Sequence, residues 1–505
     1  MTASTAVILA LTATPGLSLT PEELWGQWQD FLTSSGYEVS VDTGGSGSEL
    51  ILDNLTLTRE IQTPDQSGTV AANLGQYTMT GQGDGSVLIT MPDSQPIVID
   101  VTAEGEPPVQ VTLEQTAAAF EMRAQGSLED TQYSYSGDSY GLALTSVVED
   151  GTPIELGTAG MLLSAIAGTT DIKTDTAYEI EQQFTAETMT YTLDITEPPT
   201  EGTGHVVAAG MLSGIRSTGG GTIPIGVDSS DFAALAAAGF DVSGALSFES
   251  SAGENAFTDG DQSVNLKTRS GGGQYTFGLD GARVTYQATG QDLGMEISGS
   301  EVPFPLNLEA TEAGFQISLP LAKSEEAQDF EMSFTLAGVT LPDQLWAMAD
   351  PEGRLPRDPL TLQLAVSGTG ELFVDLTNEA QMQQLAETGG TPGQVETLKV
   401  ETLTIEGLGA QIDATADLTV DNDTPSPMGQ GPNVYGTANI HLVGVQALLQ
   451  TLAQMGLIPP AQAMMGAGMI SQLGRQVSGP DDLEADITMD QQGALTINGV
   501  PFPPR

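Results

Sequence analysis

The spacing of apolar positions is helical at the start of the chain and becomes two-residue for most of the remainder. Leu24, Trp28, Phe31 and Leu32 recur at three- and four-residue intervals, which places them on one side of a helix. Thr20-Pro21-Glu22-Glu23 supplies an N-cap, a proline at the first helical position and acids at the positive end of the helix dipole. Gly36 supplies the stop. Beyond it, apolar and polar residues alternate over Val39–Thr43 and through Leu50, Leu52, Leu55 and Leu57, broken at Asp53-Asn54. The same alternation predicts strands at Ser86–Thr90, Pro96–Val101, Val109–Leu113, Thr188–Ile195, Gly244–Glu249, Gln274–Gly278, Arg283–Ala288 and Phe315–Leu319. Further ones follow at Phe330–Leu336, Leu360–Val366, Leu398–Ile405, Gln411–Val420 and Leu483–Met489. Connections rich in Gly, Ser, Asp and Pro suit antiparallel meanders.

Helical spacing is rarer. It predicts helices at Ala159–Ile166, Ser230–Gly239, Pro342–Ala349 and Glu379–Ala386, and a helix pair near the end. In the first member of that pair Leu442, Val445, Leu448, Leu449, Leu452 and Met455 share a face, with His441 at its opening. Pro459-Pro460 breaks it, and Met464, Met465, Met469, Ile470 and Leu473 follow. Together these patterns predict a mainly β (α+β) fold: long antiparallel, curved sheets with a few packing helices, among them an N-terminal helix and a C-terminal helix pair.

Composition supports order and narrows the partners. Of 505 residues 39% are hydrophobic, too many and too patterned for a disordered acidic chain. There are 67 Asp and Glu against 13 Lys and Arg, a formal net charge of −54. Such a field repels nucleic-acid phosphates, and no basic stripe offsets it. Nucleic-acid binding and polybasic docking to membranes are thereby excluded. The absence of cysteine excludes disulfides, thiolate nucleophiles and zinc–thiolate sites.

Residues 1–18 are expected to be a signal peptide. Ala6–Leu11 forms an apolar run, and Gly16-Leu17-Ser18 resembles a cleavage site, although no basic residue precedes Arg59. A start assigned too far downstream would explain the missing basic region. No later stretch reaches the roughly 18 apolar residues of a spanning helix, so the mature chain is expected in the periplasm without a membrane span. Periodicity lapses at Ser217–Thr222, which suggests an N-terminal helix and β-rich region over 19–221 and a β-rich region with the helix pair over 222–505, packed together.

Catalytic templates are missing. Neither His205 nor His441 has a second histidine at ligand spacing, and G-x-S-x-G, S-x-x-K, P-loop and dinucleotide-binding patterns are absent. Carboxylates are too numerous to single out a glycosidase pair. Gly44–Leu52 resembles one calcium-binding nonapeptide, but that motif works only when stacked. Asp259-Gly260-Asp261 and Asp421-Asn422-Asp423 lack the later glutamate of an EF-hand and read as solvated turns.

Several segments resemble the uncharacterised bacterial family DUF2125: Leu336–Trp346 with Asp350-Pro351 and Leu355–Pro359, the stretch Met455–Ala463, and the close Asp490–Gly499. Pro21–Tyr37 is similar to the start of longer members. The resemblance implies an exported protein with no established activity, and it brings no catalytic residues. A more distant similarity in style is to DUF945 (YdgA-like) and AsmA-like envelope proteins, some of which form long sheets with an apolar lipid groove.

The expectation is an exported, non-enzymatic protein without a cofactor that binds an apolar ligand or lipid, or assists envelope assembly. Its candidate apolar wall is Leu452, Met455, Leu457, Met464, Met465 and Met469. The alternatives are a structural or protein-interaction module with an envelope protein as partner and no small-molecule site, and a carboxylate-based hydrolase.

Overall fold

The computed structural model describes residues 19–62, 67–198, 202–227, 232–427, 429 and 431–502. The signal peptide expected at residues 1–18 lies outside the described residues. The protein is mainly β. Its described helices are α1 (Pro21–Ser34), α2 (Phe232–Ala237), α3 (Asp343–Ala349), α4 (Glu379–Thr388), α5 (Val445–Gln454) and α6 (Pro460–Leu473). The chain divides into two compact units, Met1–Glu187 and Thr188–Arg505.

The first unit has a core. α1 begins in a capping box: Thr20 Oγ1 accepts from the Glu23 amide at 3.2 Å, and the Glu23 carboxylate accepts from the Thr20 amide at 3.1 Å. It ends where Tyr37 donates to the Leu32 carbonyl and Gly36 takes φ +87°. Leu24 and Trp25 pack into a cluster with Leu50, Leu52, Leu55, Met79, Val87 and Ile89. Leu24, Leu52 and Met79 are fully enclosed.

Beneath that cluster the sheet forks. The strand Glu49–Gln62 pairs with Tyr77–Gly81 through residues 49–52 and with Ser67–Asn73 through residues 56–62. Two routes of strands run from there and rejoin on Asp130–Glu149, one through Glu121–Ser127 and the other through Val109–Ala118. The second unit repeats the device. His205–Pro224 pairs with Ser250–Asp259 along one half and Asp241–Phe248 along the other, and the routes rejoin on Arg283–Gly299.

Left-handed residues mark the forks. Asn54 (φ 52°), Gly214 (φ 62°) and Asp292 (φ 48°) sit where a long strand changes partner. Ala165 (φ 46°) lies opposite the fourth such point. Gly, Asn and Asp are the residues that tolerate this conformation, and it reverses which side chains face a given side of the sheet.

That reversal explains one correction. Ala159–Ile166, expected as a helix, is part of the strand Gly157–Thr174. Ala165 breaks the two-residue period there, so the apolar positions on its two sides mimic helical spacing. A second correction concerns His441 and Leu442, which end the strand Pro432–Val443 and do not open a helix. Gly444 (φ 70°) separates that strand from α5. Ser217–Thr222, where periodicity lapses, runs inside His205–Pro224 and pairs with Asp241–Leu246.

Candidate functional site: an apolar sheet face and a helix pair

In the second unit ten strands lie side by side: Asp241–Phe248, Gly272–Asp280, Arg283–Gly299, Leu306–Pro320, Gln328–Val339, Leu360–Leu372, Gly393–Gly407, Ala410–Pro425, Pro432–Val443 and Asp482–Met489. Their register aligns like with like. One row across all ten reads Leu246, Tyr275, Ala288, Phe315, Phe334, Leu364, Leu403, Ala414, Ile440, Ala485. Two positions along each strand, and three along the bulged Gly393–Gly407, another reads Gly244, Phe277, Tyr286, Ile317, Met332, Val366, Val400, Ala416, Ala438, Ile487. The intervening row reads Ala245, Thr276, Gln287, Gln316 and Ser333 over its first five strands. Alternation within each strand has therefore become one apolar face and one polar face.

The apolar face is not covered as a core would be. Phe315 is 38% and Phe334 40% exposed, and Tyr275, Phe277, Tyr286, Met332, Leu362 and Ile405 are likewise exposed. A third apolar row carries Leu336, Leu362, Ile405, Ile412 and Leu442. At about 4.8 Å per strand and 6.8 Å per two residues, ten strands and three rows make a strip of about 43 by 14 Å. Where the sheet forks, the strip deepens into a cleft of about 420 Å³ walled by Phe248, Tyr275, Phe315, Phe334 and Leu293. Two bulges in the pairing of Gly393–Gly407 keep the apolar rows in step: Val400 and Leu403 face Val366 and Leu364 across an extra residue.

The helix pair stands at the far end of the strip. Asp481 anchors α5 by accepting from the Gln446 and Ala447 amides at 3.0 and 2.9 Å, a cap supplied from a distant turn. Gln446 also donates to Ser471 across to α6. Between α6 and the last strands lies a smaller cleft of about 200 Å³ lined by Met469, Ile470, Leu473, Ile440, Leu442 and Leu483. Of the six residues singled out from sequence, Met469 thus lines a cleft, and Leu452 and Met455 are half-buried. Leu457 (59%), Met464 (71%) and Met465 (62%) are strongly exposed. The aromatic strip is not legible in any one strand; its signal is the matching alternation of consecutive strands, which only the register turns into a surface.

The first unit holds an apolar cavity of about 290 Å³ beside α1, lined by Trp28, Phe31, Leu32, Met122, Tyr133 and Ile172. Trp28 Nε1 donates to the Tyr133 hydroxyl at 2.9 Å, and burial pushes the Tyr133 pKa up.

Polar clusters are separate from these apolar sites. His441 contacts Asp482 at 2.8 Å, and hydrogen bonds from Ser478 and then His441 hold the Asp482 carboxyl below its ordinary range. His205 contacts Asp194 at 2.8 Å in the exposed part of its ladder. Asp421 accepts from the amides of Asp423 and Thr424, and Asp259-Gly260-Asp261 spans a hairpin turn. Among the described residues no group of three or more His, Asp or Glu is placed to hold a metal ion, and no helix is long and apolar enough to cross a membrane. Asp350 is buried beside α3. It accepts from the Leu355 amide at 2.8 Å, and backbone amides of Leu355 and Arg354 hold its pKa down.

Residues 230–503 match the family described as "Uncharacterized protein conserved in bacteria (DUF2125)". The chain belongs to DUF2125. No curated protein matches it. The matched DUF2125 region contains all ten strands of the apolar face and the helix pair, whereas α1 and its core precede it. No catalytic motif is evident in the chain, and DUF2125 carries no assigned activity.

Proposed function

We propose that this DUF2125 protein is a non-enzymatic, exported protein that holds lipid acyl chains along the apolar face of its second unit. The observation that carries the reading is the register: aromatic and aliphatic side chains occupy the same face on ten consecutive strands, and on the first seven of these, from Asp241–Phe248 to Gly393–Gly407, large ones stay exposed. Leaving such a strip in water is unfavourable at about 25 cal/mol per Å², and contiguous apolar patches beyond a few hundred Å² mark binding surfaces. An acyl chain spans about half of the ~30 Å bilayer core, so the strip exceeds one chain in length. The fork cleft offers the deepest seat. Periplasmic location rests on the leader-like pattern at residues 1–18.

The test is an organic extract of protein purified from a bacterial envelope fraction, read by mass spectrometry. Phospholipid or fatty acid in stoichiometric amount is expected. A Phe315→Glu, Phe334→Glu double variant should lose most of it while keeping its β-sheet circular dichroism. An empty wild-type extract defeats the reading.

The same strip favours one other reading, a docking face for an envelope protein with no small-molecule site. Crosslinking in envelope fractions separates the two: a specific crosslinked protein with an empty lipid extract supports docking.

A further inference from the structure

We propose that the turn joining α5 and α6, with the first turns of α6, is the surface by which this protein meets an uncharged lipid bilayer. The proposal rests on the acyl-chain reading above and adds where the lipid enters.

Charge gives the first argument. Between Asp423 and Arg475 the chain contains no Asp, Glu, Lys or Arg, although 16% of its residues are charged and the net charge is −54. The helix pair occupies the last part of that interval. Elsewhere the acidic surface is repelled by anionic headgroups, so contact with lipid requires a region like this one. Attraction by basic residues is absent too, which leaves apolar insertion as the driving force.

Geometry supplies the second. The base of the hairpin is polar and fixed, with Asp481 capping α5 and Gln446 bridging to Ser471. Its other end carries Leu457 in the turn and Met464 and Met465 in α6, each more than half exposed. Gly456 (φ 75°) and Pro459-Pro460 shape that turn. Unbranched, polarisable Met side chains adapt to irregular apolar surroundings.

Continuity supplies the third. Met469, Ile470 and Leu473 of α6 line a cleft with Ile440, Leu442 and Leu483, and Ile440 belongs to a row that also contains Phe315 and Phe334. An apolar path thus runs from the exposed methionines to the strip. Acyl chains are scarce as monomers in water, so a protein that holds them must collect them at a lipid surface.

Flotation with vesicles tests this. Full-length mature protein should co-float with phosphatidylcholine vesicles and do so several-fold less when 30% of the lipid is phosphatidylglycerol at low salt. A Met464→Asp, Met465→Asp variant should lose at least about tenfold in partitioning with unchanged circular dichroism and melting. A Leu457→Asp variant provides an independent check should the first fold poorly. Absence of wild-type flotation, variants that float like wild type, or preference for anionic vesicles each overturn the proposal. So does light scattering in which the aspartates only dissociate a dimer, which would make a second copy the occupant. Flotation with an empty lipid extract would sink the acyl-chain reading alone; a lipid-loaded protein that never floats would sink this one alone.

Discussion

The two units use the same strand device to opposite ends. In the first, the fork lies under α1 and is sealed: Gln95 accepts from the Gln76 amide, donates to Leu74 and reaches Gln115, itself buried against Met91. In the second, the equivalent opening is a 420 Å³ cleft ringed by Phe248, Tyr275, Phe315 and Phe334. Of the 22 hydrophobic residues buried among those described, 15 belong to the shorter first unit. The second unit has equally regular alternation but little to cover its apolar face. The difference teaches that alternation specifies a sheet with two unlike faces, while a separate element decides whether the apolar one becomes core or surface.

The sharpest way to break this comparison is to truncate one side chain in each unit. Leu52→Ala, at a fully enclosed site, should cost about 2–5 kcal/mol through lost contacts and the cavity left behind. Phe315→Ala, with no cavity to create, should cost about 1 kcal/mol or less. Denaturant melts of both variants check it, and equal losses would refute the contrast. A middle-sized effect is expected from Gln115→Ala. It removes the acceptor of one Gln95 amide hydrogen while the bonds to Leu74 and Gln76 remain, and should destabilise by about 1–3 kcal/mol, a loss that a leucine at the same position would not restore.

Smaller effects belong to the forks. Asp292 holds φ 48°, a conformation that favours glycine. Asp292→Gly should therefore be neutral or stabilising by up to about 1 kcal/mol, and Asp292→Ala destabilising by a similar amount; melting temperatures decide. The smallest effect concerns acid. The Asp350 pKa is lowered in the folded state, so its contribution is fully present above the unfolded value near 3.9 and is lost as pH falls through the lowered folded value. Asp350→Asn should abolish that part of the pH dependence of stability measured between pH 5 and 2. An unchanged profile would show that the Leu355 amide contact contributes nothing.

Much of this was legible in single strands. Leu398–Ile405 and Gln411–Val420 announce themselves by period, and α1 by its cap and its glycine stop. Two long strands with no legible period are rich in small residues. Asp130–Glu149 and His205–Pro224 place Gly, Ser and Ala at inward and outward positions alike, so period two carries little contrast. Left-handed residues such as Ala165 further scramble it. The site was harder still. The helix pair could be found from Leu and Met spacing, but their exposure could not. The aromatic strip depends on pairings such as Phe315 with Phe334, which are set by loop lengths and bulges and by no local pattern.

The most direct measurement is photolabelling with a diazirine fatty acid, followed by peptide mapping. The account expects label on peptides bearing Tyr275, Tyr286, Phe315 and Phe334, and its loss in the Phe315→Glu, Phe334→Glu variant. Label confined to the α1 cavity around Trp28 and Tyr178, or equal in wild type and variant, would contradict it.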